Sequence, residues 1–466
     1  MIEKSLNDFL KRFNSHSPII VAYSGGVDSQ VLLSALVSLK HQSLLLNPIT
    51  VCHVHHGLSE NADKWQLFAK QQCHLLQVEF KTVNVNIKPL PQTSLEAQAR
   101  DARYLALQAL NKAPSLILTA HHSDDQTETF LLALKRGSGV KGLSAMEEIS
   151  ELGSHQLLRP LLKIKREEIE RYAQNKNLAW VEDESNNDTR FDRNFIRKNV
   201  MPLLSERWPS ISQTINRSAT HCLEAQSLLN EMAEQDLDKC LAFLQNKEVL
   251  VEKTSLTFLE EAFFAQLPIE PLLALSSARF NNLFRYFLSL KGCLMPSSEQ
   301  LIQVHQQLKA PQDKNPSIKV ADYVIRRYKQ SLYLTSDYQD ISDWETVVQD
   351  SNKEQKIHFP EKFQCLFISL NKDNSGKRNL SYRYEGEVFN SRNLKPPQNG
   401  QVVSIRFAHH NPNCLPDYRQ KSRSLKKILQ ELNIPSWQRS RIPYLYYDGE
   451  LVAAIGLFVC KPYLVK

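Results

Sequence analysis

The chain has 466 residues, 42 % of them apolar and 23 % charged, with 57 Lys/Arg against 50 Asp/Glu and a formal charge of +7. This length predicts about two to four domains, the composition excludes a wholly disordered chain, and the mild positive excess permits a nucleic-acid partner without requiring one. There is no run of about 18 apolar residues, and the charged start MIEKSLNDFLKRF does not read as a secretory signal, so no membrane association is expected. Eight cysteines, none in a C-x-x-C pair, point to reduced thiols in a cytoplasmic protein rather than a disulfide framework.

In chain order, Pro18–Tyr23 is a short apolar run that ends at Gly-Gly and predicts a buried strand. Leu32, Leu33, Leu36 and Leu39 then recur at helix spacing. Ile49–Val54 and Val78–Val85 predict further strands, Leu95–Leu110 a helix, Leu116–Thr119 a strand, and Thr127–Leu134 the beginning of another helix. Strands alternating with helices predict a parallel sheet covered on both faces, in an α/β domain running to about residue 215.

Five strings in this domain carry chemistry. Ser24-Gly25-Gly26-Val27-Asp28-Ser29 lies between a strand and a helix. Two glycines let the backbone turn tightly, and helix-start amides together with the helix dipole form an anion site. Ser24 and Ser29 add hydroxyls, whereas Asp28 beside phosphate calls for a metal or a positive group. The second string, Cys52-His53-Val54-His55-His56-Gly57-Leu58, puts His53 and His55 on one strand face; zinc ligation and polar lining of a strand end both fit it. The third, Ser94–Tyr104, spaces Glu96, Arg100 and Arg103 about one helical turn apart, either as a solvated face or as a phosphate clamp.

The fourth string, Ala120-His121-His122-Ser123-Asp124-Asp125-Gln126-Thr127-Glu128-Thr129, starts a helix. Ser123 and Gln126 suit a capping box, while Asp125 and Glu128 are helical neighbours able to hold Mg²⁺, orient a cation or accept a proton. Residues 137–142 match G-x-G-x-x-G, but after a helix rather than a strand, so a loop is expected. The fifth string joins the acidic loop Glu182–Asp188 to Arg193-Asn194-Phe195-Ile196-Arg197, with Arg159-Pro160-Leu161-Leu162 upstream.

Beyond residue 211, helical patterns at 211–245 and 278–290 and an acidic stretch, nine acidic against three basic residues over 231–270, predict a mainly helical domain at 216–335 that ends in a hairpin at 324–335. The polar residues 336–358 suit a linker. Residues 359–466 form a third unit whose last hairpin turns at Asp448-Gly449. From Lys377 to Arg441 there are 13 Lys/Arg against four Asp/Glu, interleaved with Tyr382, Tyr384, Phe407, Tyr418 and Trp437. Such cations neutralise phosphates, and aromatics stack on unpaired bases; an ordinary basic face over core aromatics has the same composition.

The S-G-G-x-D-S string resembles the PP-loop of the N-type ATP pyrophosphatases, which cleave ATP between its α- and β-phosphates and adenylate a substrate oxygen. The five strings in this order, with Leu425–Glu431 and Ile434–Pro443 near the other end, resemble the tRNA(Ile)-lysidine synthetase family. Ser436 and Ser440 depart from that family's usual Pro and Asp.

The resemblance implies an α/β fold: a Rossmann-like parallel sheet PP-loop domain, then a helical domain and a small α/β carboxyl-terminal domain. It implies ATP as substrate with Mg²⁺, free L-lysine, and a tRNA(Ile) with a CAU anticodon as partner. Ser24–Ser29, His53 and His55 would bind ATP, with Asp28 on Mg²⁺. Asp28, Arg100, Asp125, Glu128 and Arg193 would serve the chemistry, and Arg197, Arg423, Lys426, Lys427, Trp437, Arg439 and Arg441 would contact the tRNA. A homodimer is compatible with the sequence. The rival expectations are a tRNA thiolase of the same ATPase class and a non-catalytic RNA-binding protein.

Overall fold

The computed structural model describes residues 1–57, 59–87, 95–246, 263–309, 317–349, 351–360, 366–372, 378–384 and 394–464. Leu58, Ser94 and Cys365 lie outside the described residues, as do Lys377 and Arg392 of the basic segment. The chain divides into two compact units, Met1–Leu228 and Leu229–Lys466, and one continuous helix, Ile211–Asn246, runs through the division.

The first unit is built on strands β1 (Ile19–Ala22), β2 (Ile49–His55), β3 (Glu79–Asn84), β4 (Leu116–Leu118), β5 (Ile149–Leu152) and β6 (His155–Leu158), in the spatial order β3-β2-β1-β4-β6-β5. All neighbours pair in parallel except the edge hairpin β5–β6. Helices α1 (Ile2–Leu10), α2 (Val27–His41), α3 (Ala62–Leu75), α4 (Leu95–Ala109), α5 (Ser123–Lys135), α6 (Val140–Leu143) and α7 (Arg166–Asn175) connect or flank them. The apolar run of β1 is continuous because both its faces are buried. Ile19 and Val21 enter the core that Leu32, Leu36 and Ile169 supply, while Ile20 faces the opposite core with Leu107 and Ile117. The strand order reverses between β1 and β4, which opens a crevice at their carboxyl ends. In open α/β sheets ligands bind there, and that is where the first and fourth strings begin.

In the second unit the expected helix, Ser277–Leu290, and a further one outside the expected patterns, Ser298–Leu308, pack on a four-stranded antiparallel sheet. The expected hairpin is Tyr323–Tyr328 with Ser331–Ser336, and Phe263–Pro268 and Ser317–Val320 pair on either side of it. The segment 336–358, expected as a linker, is partly structured. Glu345–Val347 pairs with Val403–Arg406 as an edge strand, and Ser351–Ile357 pairs with Leu366–Lys372; Ile341 and Val348 anchor the stretch in the core. The last hairpin turns where expected, with Asp448 and Gly449 both at positive φ (47° and 82°), as a two-residue hairpin turn requires. Among the described residues no helix is long and apolar enough to cross a membrane.

Candidate active site

A cleft of about 1250 Å³ opens at the carboxyl ends of β1 and β4. It is lined by Ser24, Gly26, Val27, Asp28, Ser29, His53, His55, Arg103, Asp125, Glu128, Arg193 and Arg197 among others, so all five strings meet in one place.

The loop after β1 is shaped by glycine. Gly25 has φ +88°, and a Cβ there would lie 3.0 Å from Val181. Gly26 is the N-cap of α2, so the amides of Val27, Asp28 and Ser29 open the helix without intrahelical partners. The Ser29 hydroxyl donates to Gly26 O (2.9 Å) and accepts from Gly25 N–H (3.2 Å). It therefore holds the loop's shape, with the α2 amides left open at the helix start.

Asp28 meets a positive group. Arg166 Nη1 donates to both of its carboxylate oxygens, at 2.8 and 2.6 Å, and Arg166 Nε reaches Glu170 at 2.7 Å. Burial raises the Asp28 pKa against the pull of His122 and Arg166. Arg166 lies 138 residues away in sequence and belongs to none of the strings, so local pattern carried no sign of it.

The cap of α5 sits one residue before the expected one. His122 is the N-cap: its Nδ1 accepts from Asp124 N–H (3.3 Å), and Asp125 Oδ2 accepts from the His122 N–H (3.0 Å). Ser123 and Gln126 are displaced from that role because Gln126 bonds both ways to the Met146 backbone, at 2.7 and 2.9 Å. With Nδ1 accepting, the proton of a neutral His122 sits on Nε2, which lies 3.7 Å from Asp28 and 3.4 Å from Asp125.

Glu128 is 2 % exposed. Arg197 donates to it through Nε (2.6 Å) and Nη2 (3.0 Å), and Arg193 Nε stands 3.7 Å away. Arg193 also bonds Thr129 (3.0 Å), and Arg197 reaches Asp125 at 3.4 Å. Burial pushes the Glu128 pKa up more than the arginines pull it down. For Asp125 burial acts in the same direction, but His122, which also donates its backbone N–H, and Arg193 outweigh it and hold the pKa below the usual range. Burial drives His121 down to about 3 and His56 to about 4, so both are neutral rings.

His53 is buried and donates from Nδ1 to Tyr23 O (3.0 Å), while His55 Nε2 faces Asp63 (3.0 Å). Among the described residues no group of three His, Cys, Asp or Glu is arranged to hold a metal ion. Arg103 lines the cleft, near His56 (3.4 Å), whereas Arg100 lies over the Tyr104 ring at 5.4 Å and is not among the lining residues.

The expected tRNA contacts of the second unit separate into two kinds. Lys426 and Lys427 are exposed, and Arg423 is exposed but paired with Glu431. Trp437 turns inward, edge-on to Tyr328 and Tyr333 with Arg326 over its ring at 5.5 Å. Arg441 is 5 % exposed and lies 4.1 Å over Tyr338. Arg439 Nε donates to Ile434 O (2.9 Å). Trp437 and Arg441 are thus packing residues here, because the helix Ser436–Arg439 docks its aromatic onto the neighbouring sheet.

Family models match along the chain: a PP-loop domain at residues 1–204, a TilS substrate binding domain at 267–333 and a TilS substrate C-terminal domain at 403–466. A tRNA(Ile)-lysidine synthase of Serratia proteamaculans is 39 % identical over 97 % of this chain and 93 % of its own length. One from Yersinia pseudotuberculosis is 39 % identical over 98 % and 95 %. One from Histophilus somni is 36 % identical over 98 % of both.

Proposed function

The chain belongs to the tRNA(Ile)-lysidine synthase family, and on that premise we propose that its cleft joins free L-lysine to carbon 2 of the wobble cytidine in a tRNA(Ile) with a CAU anticodon. The enzyme is a PP-loop ligase that uses ATP. The observation that carries the finer reading is the juxtaposition of an anion-binding loop with the buried Glu128 and the half-buried Asp125, the first held by Arg193 and Arg197 and the second reached by Arg197.

In the first step the cytosine O2 attacks the α-phosphorus, and pyrophosphate leaves with the electrons of the broken P–O bond. The Val27, Asp28 and Ser29 amides bind the departing phosphates, with Arg166 beside them. In the second step the lysine ε-amine attacks carbon 2, and AMP leaves as the C–O bond breaks. An ammonium of pKa about 10.4 must first lose a proton. Asp125, which stays ionised, anchors that ammonium; Glu128, the more basic of the two through its raised pKa, accepts the proton. Positioning and charge neutralisation account for the acceleration.

Mg²⁺ takes one or two carboxylates together with phosphate oxygens and waters. Asp28, at the start of α2 beside the anion loop, fits the single-carboxylate case and would hold it with the phosphate oxygens. It would supply neutralisation of phosphate charge. Residues 1–215 carry the ATP chemistry and the remainder selects the tRNA, in the cytoplasm. A thiolase reading draws no support from the cleft: Cys52 is its one lining cysteine among the described residues, and burial pushes that thiol up to about 12.

Mass analysis of the anticodon after incubation with ATP, lysine and a CAU-bearing transcript tests the reading. Condensed lysine on the wobble cytidine is the expected product, and any other mass gain, or none, rejects it.

A further inference from the structure

The segment that holds the buried carboxylate also presents an aromatic pair to solvent. Phe191 caps the short helix Asp192–Phe195, and the Phe195 N–H bonds to Phe191 O at 2.9 Å, so the two rings are one turn apart. Arg193 and Arg197 form the other pair at the same spacing, displaced by two residues, which is about 200° around a helix. The arginines turn inward to Glu128. The phenylalanines turn outward, 38 % and 48 % exposed, and Phe191 lies on the cleft lining. The next residues, Ile196–Val200, form a single π-turn, a local irregularity that recurs at functional sites.

Two neighbouring exposed aromatic side chains beside a polar cleft leave apolar area in water that folding would otherwise bury. The charge around them selects the occupant. Of the five Lys/Arg in residues 190–207, Arg193 and Arg197 turn to Glu128 and Arg190 to Asp188, which leaves Lys198, on the cleft lining, and Arg207 to meet an outside anion. An unpaired stretch of polynucleotide supplies both complements, a flat base face for each ring and phosphates for the cations.

We propose that Phe191 and Phe195 form a stacking platform for the unpaired anticodon-loop bases next to the wobble cytidine. One helical segment then seats those bases with one face and fixes the reactive carboxylate with the other. The platform rests on the lysidine-forming reading above. It stabilises the loop with the target base turned out of its stack, a rearrangement that base-modifying chemistry needs.

The test uses the full chain and an unmodified CAU-bearing tRNA with 2-aminopurine next to the wobble position. Binding of the wild-type protein is expected to quench the probe. Phe191→Ala and Phe195→Ala are each expected to weaken tRNA affinity about tenfold and to diminish the quench. Phe→Tyr restores both because it keeps the ring face, whereas Phe→Leu does not. Thermal midpoints close to that of the wild type would accompany these losses. Unaltered tRNA affinity in the double alanine variant, or full rescue by leucine, overturns the platform. So does a dimer that dissociates in the double variant while tRNA affinity holds, because the rings would then join two copies of the chain. Lysidine formation by the wild-type protein is scored separately: its absence defeats the functional reading, whereas its presence with unaffected variants defeats the platform alone.

Discussion

Residues 191–197 and residues 423–441 are alike in composition, each mixing cations with aromatics, and the fold arranges them in opposite ways. In the first segment the arginines are inside, on Glu128, and the phenylalanines are outside. In the second, Trp437 and Arg441 are inside, while Lys426 and Lys427 are outside. The contrast shows that stretches alike in their mix of cations and aromatics can present opposite groups to solvent. The first segment offers base stacking beside a buried reactive centre. The second offers phosphate neutralisation, with its aromatic ring committed to packing.

The largest effect that sharpens this contrast is expected at the inward arginine face. Glu128→Gln keeps the shape and removes the charge, and it should lower the rate of lysidine formation by about 10²–10⁴-fold while ATP-dependent pyrophosphate release persists. Single-turnover assays with and without lysine separate the two steps; a variant that loses both equally would place Glu128 in adenylation instead.

Arg166→Ala comes next. Loss of a guanidinium that bridges the loop carboxylate is expected to weaken ATP binding by about 10- to 100-fold. Lysine at that position should recover little, because it lacks the bidentate fork. Equilibrium ATP binding measures this, and affinity unchanged in the alanine variant would remove Arg166 from the phosphate site.

In the second unit, Lys426→Ala with Lys427→Ala should weaken tRNA binding and reduce the slope of log affinity against log salt by about one to two. Trp437→Ala should leave that slope alone and instead lower stability by about 3 kcal/mol, read by denaturant unfolding. Exchanged outcomes, with Trp437 governing the salt slope, would dissolve the distinction between the two segments.

The smallest expected effect is acid sensitivity of the first unit. His121 is neutral when folded, with its pKa near 3, and titrates near 6.5 when unfolded. Between those values the unfolded chain binds more protons, so stability rises with pH in this window and is lost on acidification from about 6.5 towards 3. The loss is at most about 1.4 kcal/mol per pH unit. His121→Asn should flatten that acid limb in unfolding experiments at pH 7 and pH 5; an unchanged limb would assign the sensitivity to other groups.

How much of this was legible in the sequence depends on the range over which each feature acts. Strand and helix periodicity, the Gly25-Gly26 turn and the Asp448-Gly449 hairpin depend on residues within a turn or a strand of one another, and each is visible in the string itself. The α5 cap, though local, sits at His122, one residue before the Ser123 that the string suggests. Its choice depended on Gln126 being occupied by Met146, 20 residues on. The edge strand Glu345–Val347 was invisible because its partner, Val403–Arg406, lies more than 50 residues downstream and the segment itself is polar.

The sequence by itself determined that a phosphate loop, histidines, paired carboxylates and arginines belong to one α/β unit, since each is a local pattern at a strand or helix end. Only the tertiary structure decided which of them touch. The sheet order puts β1 beside β4, and that adjacency brings the Asp28 loop to His122 and Asp125. The fold also brings Arg166 across 138 residues and Arg197 across 69. Burial, too, is a property of the assembled layers. A phenylalanine at Phe195 and a tryptophan at Trp437 read alike in a sequence, and only the elements packed around them leave one ring half in water and set the other edge-on against Tyr328 and Tyr333.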